Sequence, residues 1–130
     1  MRPATLLILV FFMSACASID DSKKTITFDN ATRRYEQALR WGDFQTVDSF
    51  RRHSDMAPAE QSRLGSVRVT SYDTVGTTES PDRTRVMIDV VIGYYNEYTM
   101  KEVSITDHQS WEYDPAEQAW FITSPLPDFK

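Results

Sequence analysis

Few side chains in this 130-residue chain have both the type and the setting to do chemistry. The sharpest candidates lie in one segment, where Val103, Ile105, Asp107, Gln109, Trp111 and Tyr113 alternate with polar residues and so share one face of a strand. Val103, Ile105 and Trp111 mark that face as turned to a core, which points Asp107 and Gln109 inward. A lone carboxylate there is costly unless paired. Burial would raise its pKa, the condition for a general base. Two alternatives stay open: a β-bulge near Asp107 would return it to water, or Arg85 or Arg68 would pair with it. His108 falls on the opposite face, so it forms no dyad with Asp107. His53 has Asp55 nearby, but it lies in a loop without recognisable metal-ligand spacing. Four glycines form no phosphate-cradling loop, and the serines and threonines have no base at motif spacing. These residues predict a protein that is not an enzyme and takes no cofactor and no metal.

The aromatic residues suggest binding. Tyr94, Tyr95, Tyr98, Trp111, Tyr113 and Trp120 concentrate in the strand region, where alternating rings are first a packing signal. If the core holds a ligand pocket, Asp107 and Gln109 would be its polar contacts and Trp111 and Trp120 its walls. Tyr95 and Tyr98 sit on or near a hairpin tip opposite the apolar stripe, a setting that suits a partner surface.

The elements that must position these groups follow from the change in hydrophobic period. Asp29-Asn30 offer N-cap side chains to a first helix with Ala31, Tyr35, Ala38 and Leu39 at helical spacing. Gly42 ends it, and Asp43 caps a second helix over 44–52. The stretch 53–63 reads as a loop with at most one helical turn at 59–61. Strands are expected over 66–73, with Val67 and Val69 opposite Arg68, Thr70 and Tyr72, and then over 84–96, 100–113 and 118–123. A loop separates the first two, and a turn at Asp114-Pro115-Ala116-Glu117 joins the last two. In the last hairpin Trp111 is expected opposite Trp120. Helices first and antiparallel strands after make an α+β plan, with the N-terminal helices packed on one face of a four-stranded sheet.

Fourteen Lys+Arg against nineteen Asp+Glu leave a formal charge of −5, which argues against non-specific nucleic-acid binding. One cysteine excludes an internal disulfide framework and a cysteine-rich metal site. That cysteine, Cys16, stands at the end of an N-terminal pattern. Arg2 supplies a positive start, Thr5 to Met13 form an uncharged run of nine residues, and Ser14-Ala15 are small. The run is too short to span a bilayer, which takes about 20 apolar residues, and suits the central region of a secretory signal peptide. The triplet Ser14-Ala15-Cys16 resembles the lipobox of bacterial lipoproteins, with Met13 where that family usually has Leu. The resemblance implies diacylglyceryl attachment to the Cys16 thiol, cleavage of residues 1–15, and acylation of the new amino terminus. The mature chain would carry 13 basic and 19 acidic residues, a net charge of −6. Ala17-Ser18 after the cysteine imply the periplasmic leaflet of the outer membrane, with the inner membrane as the alternative. Residues 16–27 are polar and read as a short flexible tether, and residues 28–130 as a single domain.

The helix-first order and the Trp41-Gly42-Asp43 break resemble the ketosteroid-isomerase-like and SnoaL-like superfamily, which implies a cone-shaped fold. The stretch Gln109-Ser110-Trp111-Glu112-Tyr113-Asp114, with Ala119-Trp120 and the Leu126-Pro127-Asp128-Phe129 ending, looks like a group of proteobacterial lipoproteins. Such a fold hosts enzymes, binders and assembly parts alike. Together these features lead to the expectation of a membrane-anchored, non-catalytic module that binds another envelope protein or supports an assembly. The alternative is an envelope pocket protein for a small apolar ligand.

Overall fold

The computed structural model of the chain describes residues 13–54 and 56–130, with side chains from residue 18 onward. Most of the apolar leader and Asp55 fall outside those residues, and Cys16 is described only as helix backbone. The order is α1 (Met13–Trp41), α2 (Phe44–Ser49), α3 (Pro58–Leu64), β1 (Val67–Glu79), β2 (Arg85–Asn96), β3 (Glu102–Asp114) and β4 (Ala119–Ile122). The strands form one antiparallel sheet in the order β1-β2-β3-β4. The α+β architecture expected from the sequence is present.

The first helix is far longer than its apolar spacing predicts. Among the described residues it covers Met13–Trp41, well before the expected caps Asp29-Asn30, and these 29 residues reach about 42 Å at 1.5 Å per residue. The expected flexible tether is therefore helical backbone. Its hydroxyl residues turn onto their own helix: Ser22 Oγ donates to Ser18 O at 2.8 Å and Thr27 Oγ1 to Lys23 O at 2.8 Å. The Lys24 ammonium reaches Asp20 one turn back at 3.1 Å. The indole N–H of Trp120 then donates to Lys24 O at 3.1 Å and Thr27 Oγ1 at 3.2 Å. Packing against the sheet, which no local pattern reveals, holds this stretch.

Gly42 ends α1 in the left-handed region, at φ 69°, where a Cβ would be strained. Asp43 caps α2 as expected, its Oδ1 accepting from Thr46 N at 3.1 Å. The second helix stops at Ser49, short of Arg52, and the segment expected to be mostly loop forms α3 behind Pro58.

The helices cover one face of the sheet. Tyr35, Leu39, Phe44, Val47, Phe50 and Leu64 close over Val86, Ile88, Val90, Ile92, Tyr94, Trp111, Trp120 and Ile122. Phe129 of the C-terminal tail is fully buried between Phe44 and Tyr94, with ring centroids at 6.0 and 4.9 Å. Lys130 N donates to the Tyr94 hydroxyl at 3.0 Å and pins the tail.

Two readings of β1 change. The strand extends to Glu79 through the stretch expected to be a loop, and it carries register shifts between Val69 and Ser71 and between Thr74 and Gly76. Each shift adds one residue and flips the alternation. Tyr72, Thr74, Thr77 and Glu79 therefore pair with Ile92, Val90, Ile88 and Val86 and lie on the core side. Tyr72 thus turns to the face opposite the one its spacing predicts. In the last hairpin Trp120 pairs with Tyr113, not Trp111, and Trp111 pairs with Ile122. The turn keeps the four residues expected but lies one position later, over 115–118 instead of 114–117, which moves each partner by two. Asp114 Oδ1 accepts from both Ala116 N and Glu117 N, at 2.9 and 3.3 Å, and Gln118 takes a φ of 51°.

Candidate functional site

The β2–β3 ladder runs without a shift from Arg85↔Glu112 to Tyr95↔Glu102. No bulge returns Asp107 to solvent. It points inward opposite Val90, 8% exposed, and Gln109 points inward opposite Ile88, 1% exposed. Neither candidate arginine reaches Asp107. Arg68 instead pairs with Glu97, Nη2 to Oε1 at 2.7 Å, and Arg85 lies exposed on the outer face. Among the described residues Asp107 has no cation partner.

Gln109 organises the interior instead. Its Nε2 donates to Asp107 Oδ2 at 2.8 Å and to the Tyr72 hydroxyl at 3.1 Å. Its Oε1 accepts from the indole N–H of Trp111 at 3.1 Å and from the Tyr72 hydroxyl at 3.3 Å. Donor and acceptor capacity of the amide is thus consumed inside the protein. Tyr35 stands in the same interior, its hydroxyl buried and the only buried side-chain polar atom among the described residues with no hydrogen-bond partner. Burial pushes the hydroxyls of Tyr35 and Tyr72 well above the usual tyrosine range, and the Asp107 carboxylate pushes the same way.

Desolvation also raises the Asp107 pKa, while the bond from Gln109 and the charge of His108 pull it back. A carboxyl with a raised folded-state pKa is penalised wherever it must ionise, so the cost is present at neutral pH and disappears as pH falls through the unfolded value of about 3.9. Asp107→Asn keeps an acceptor for Gln109 and removes that cost. It is expected to unfold at higher urea than the native chain at neutral pH, the advantage shrinking toward pH 4 and vanishing below it. Urea titrations across that range check this.

The remaining candidates are dispersed. His108 sits on the outer face with its Nδ1 2.5 Å from Asp89 Oδ1, both groups exposed. His53 is exposed at the end of the α2 region. Trp111 and Trp120 do not stack on each other; Phe28 lies between them, with ring centroids 6.1 and 4.9 Å away, and Trp120 tilts against Tyr113 at 5.3 Å. Tyr98 is 89% exposed on the β2–β3 hairpin, whereas Tyr95 is half-buried. Val103, expected in the core, is 39% exposed because it lies near that tip, beyond the cover of the helices. Met100 and Trp41, 71% and 80% exposed, join Tyr98 at this end of the molecule. The link is Arg68: a Cβ on Gly42 would lie 3.9 Å from its Nη1, and its Nη2 holds Glu97.

Sequence reasoning missed a cleft. Between α1 and the core side of β1 lies a cavity of about 290 Å³ lined by Phe28, Arg33, Glu36, Tyr72, Thr77 and Ile88 among others. Asp107 and Gln109 are not among its walls. The signal that could have found it is Gly93, a glycine inside a strand, which marks the bulge that turns Tyr72 inward. Among the described residues no group of three His, Cys, Asp or Glu is placed to hold a metal, and no helix is long and apolar enough to cross a membrane.

No protein-family model matches the chain, and no curated protein does. Among solved structures it is similar to the solution structure of a SEC-C motif containing protein from Rhodopseudomonas palustris, with a TM-score of 0.57 and 10% sequence identity over 72% of this chain and 73% of that one. At that identity the likeness concerns the fold alone.

Proposed function

We propose that this chain is a lipid-anchored protein of the bacterial envelope, with Cys16 acylated in the periplasmic leaflet of the outer membrane and residues 1–15 removed. Its domain, a cone of the ketosteroid-isomerase-like and SnoaL-like type, is a binding or assembly module for another envelope protein and carries out no catalysis. The observation that carries the binding role is the polarity of the molecule along α1. The helix contains Cys16 near its start, and its other end meets the exposed Trp41, Tyr98 and Met100. From Cys16 to Trp41 the helix rises about 38 Å. Exposed aromatic and Met side chains are the residue types that anchor protein interfaces, and here they would face away from the bilayer. The cone finds support in the helix-first order and in the two bulges of β1, which bend a strand and raise its twist.

The alternative, a small apolar ligand held by Asp107 and Gln109 between Trp111 and Trp120, finds less support. The Gln109 amide is already spent on Asp107, Tyr72 and Trp111, and Phe28 fills the space between the two indoles.

A photo-crosslinking residue at position 98 in intact cells tests the binding role. A discrete adduct is expected from position 98 and none from position 117, an exposed residue in the β3–β4 turn. Equal labelling from both would count against a partner at the tip.

A further inference from the structure

The edge of β1 and the cleft beside it point to a second surface with a definable occupant. β1 ends the sheet, and from Thr70 to Glu79 its outer edge has no backbone hydrogen-bond partner among the described residues. The opposite edge differs. β4 has only four residues, and there Ile122 N donates to Phe50 O at 2.9 Å. Unpaired donors and acceptors along a strand are a template for another strand, and proteins usually shorten or cover such edges. β1 is neither short nor covered, and Val75 on it is 63% exposed.

The cleft gives this edge a specific neighbourhood. The cavity of about 290 Å³ meets a second of about 200 Å³ at Phe28, Asp29 and Thr77, making one groove between α1 and β1. Its α1 wall from Lys24 to Glu36 is about 18 Å long, the length of five or six extended residues. Phe28, Tyr72 and Ile88 form the apolar part. Asp29, Glu36 and Glu79 supply carboxylates, Glu36 held by Arg40 at 2.9 Å and Glu79 by Arg83 at 3.9 Å, and Asp73 adds one on the outer side of the strand. Two cations share the walls, Arg33 and Lys24, the latter held by Asp20 and Asp21 at 3.1 and 3.9 Å. Asp73, exposed and in no ion pair among the described residues, is the charge left for an incoming strand.

A second copy of this chain is a poor occupant. It would bring the same carboxylates, Asp73 and Glu79, to an edge that already carries them, on two bodies that each have a net charge of −5. Like charges gathered across paired strands destabilise them. We propose that β1 takes an extended basic segment of another protein as a fifth strand. Its lysine or arginine residues would face Asp73, and the alternate side chains would enter the groove. The bulges confine regular pairing to Ser71–Thr74 and Gly76–Glu79, which limits indiscriminate strand addition. This rests on the reading above only in taking the partner to be a protein, and it uses a surface different from the Tyr98 tip.

The test uses the full chain in detergent and a short acetylated peptide alternating valine and lysine, with a valine–glutamate peptide as comparison. The lysine peptide is expected to slow amide hydrogen exchange at outward N–H groups between Thr70 and Glu79 by about tenfold or more, and to bind at least about tenfold tighter than the glutamate peptide. Asp73→Lys, at an exposed position, should erase that preference while leaving the fold intact. Equal binding of both peptides, protection outside β1, no protection at all, or protection that rises with protein concentration in the absence of peptide would each overturn the proposal. A Tyr98 adduct with no protection at β1 would remove this inference and leave the tip reading standing.

Discussion

Gln109→Met is expected to cost this protein about 3–5 kcal/mol, although the two side chains differ little in volume. The amide is the hub of the interior. It accepts from the Trp111 indole, exchanges hydrogen bonds with the Tyr72 hydroxyl and donates to Asp107. A thioether replaces none of these, so three groups lose their partner at once, one of them a carboxylate with no cation. A buried group left unsatisfied costs about 1–3 kcal/mol, and more when it is charged. Urea unfolding followed by tryptophan fluorescence measures the loss, with an unchanged slope showing that compactness is preserved. The double substitution Asp107→Leu with Gln109→Met should recover part of it, because the most expensive orphan goes and apolar groups replace a polar network. A loss under about 1 kcal/mol for the single change would mean that water already satisfies these groups.

The contrast between Asp107 and Tyr72 shows what the sequence can and cannot convey. Asp107 was legible as an inward residue because β3 keeps strict alternation through a ladder with no shift. Tyr72 was misplaced because β1 breaks its alternation at Val69/Ser71. The shift has a local cause. Ser71 Oγ accepts from Gly93 N at 3.1 Å, and a Cβ on Gly93 would come within 2.4 Å of that oxygen. Only a residue without a side chain lets the two strands meet this way, yet a lone glycine in a strand says that something is close without saying what. The cleft follows from the same shift, since Tyr72, Thr74 and Thr77 line it from positions that unbroken alternation would not place together. The inward Asp–Gln pair was thus readable; the groove beside α1 was not.

The early part of α1 failed for a different reason. Residues 17–27 contain Ser, Thr and Asp, which favour caps and turns over helix interiors, and they carry no apolar stripe. Their helix is held at one place, where Trp120 bonds to Lys24 and Thr27. A contact between residues almost a hundred positions apart leaves no mark in local composition. The Trp111 and Trp120 positions were correctly read as core, but their pairing was two residues out, because a four-residue turn displaced by one position preserves the face while shifting the partner.

Cys16→Ser is expected to abolish membrane attachment through acyl chains while leaving the domain folded. On the proposal that Cys16 is the lipid acceptor, a hydroxyl cannot take the place of its thiolate, and without the diacylglyceryl group the lipoprotein cleavage and amino-terminal acylation would not follow. Each buried CH₂ is worth about 0.8 kcal/mol; one chain binds only reversibly, and stable anchoring takes a second signal. Losing all three chains therefore moves the protein by far more than any change in its surface. The fold is expected to survive because Cys16 lies about two helical turns before Lys24, the first α1 residue seen bonded to the sheet through Trp120. Those two turns would also set the domain's height: a helix of eight residues spans about 12 Å, so the body would ride close to the bilayer on a stiff post. Detergent phase partition measures the outcome, with the native chain in the detergent phase, the variant in the aqueous phase once its leader is removed, and the same circular dichroism for both. Mass spectrometry of the native protein showing an unmodified thiol, or a variant that still partitions as lipid-bearing, would mean that Cys16 is not the anchor.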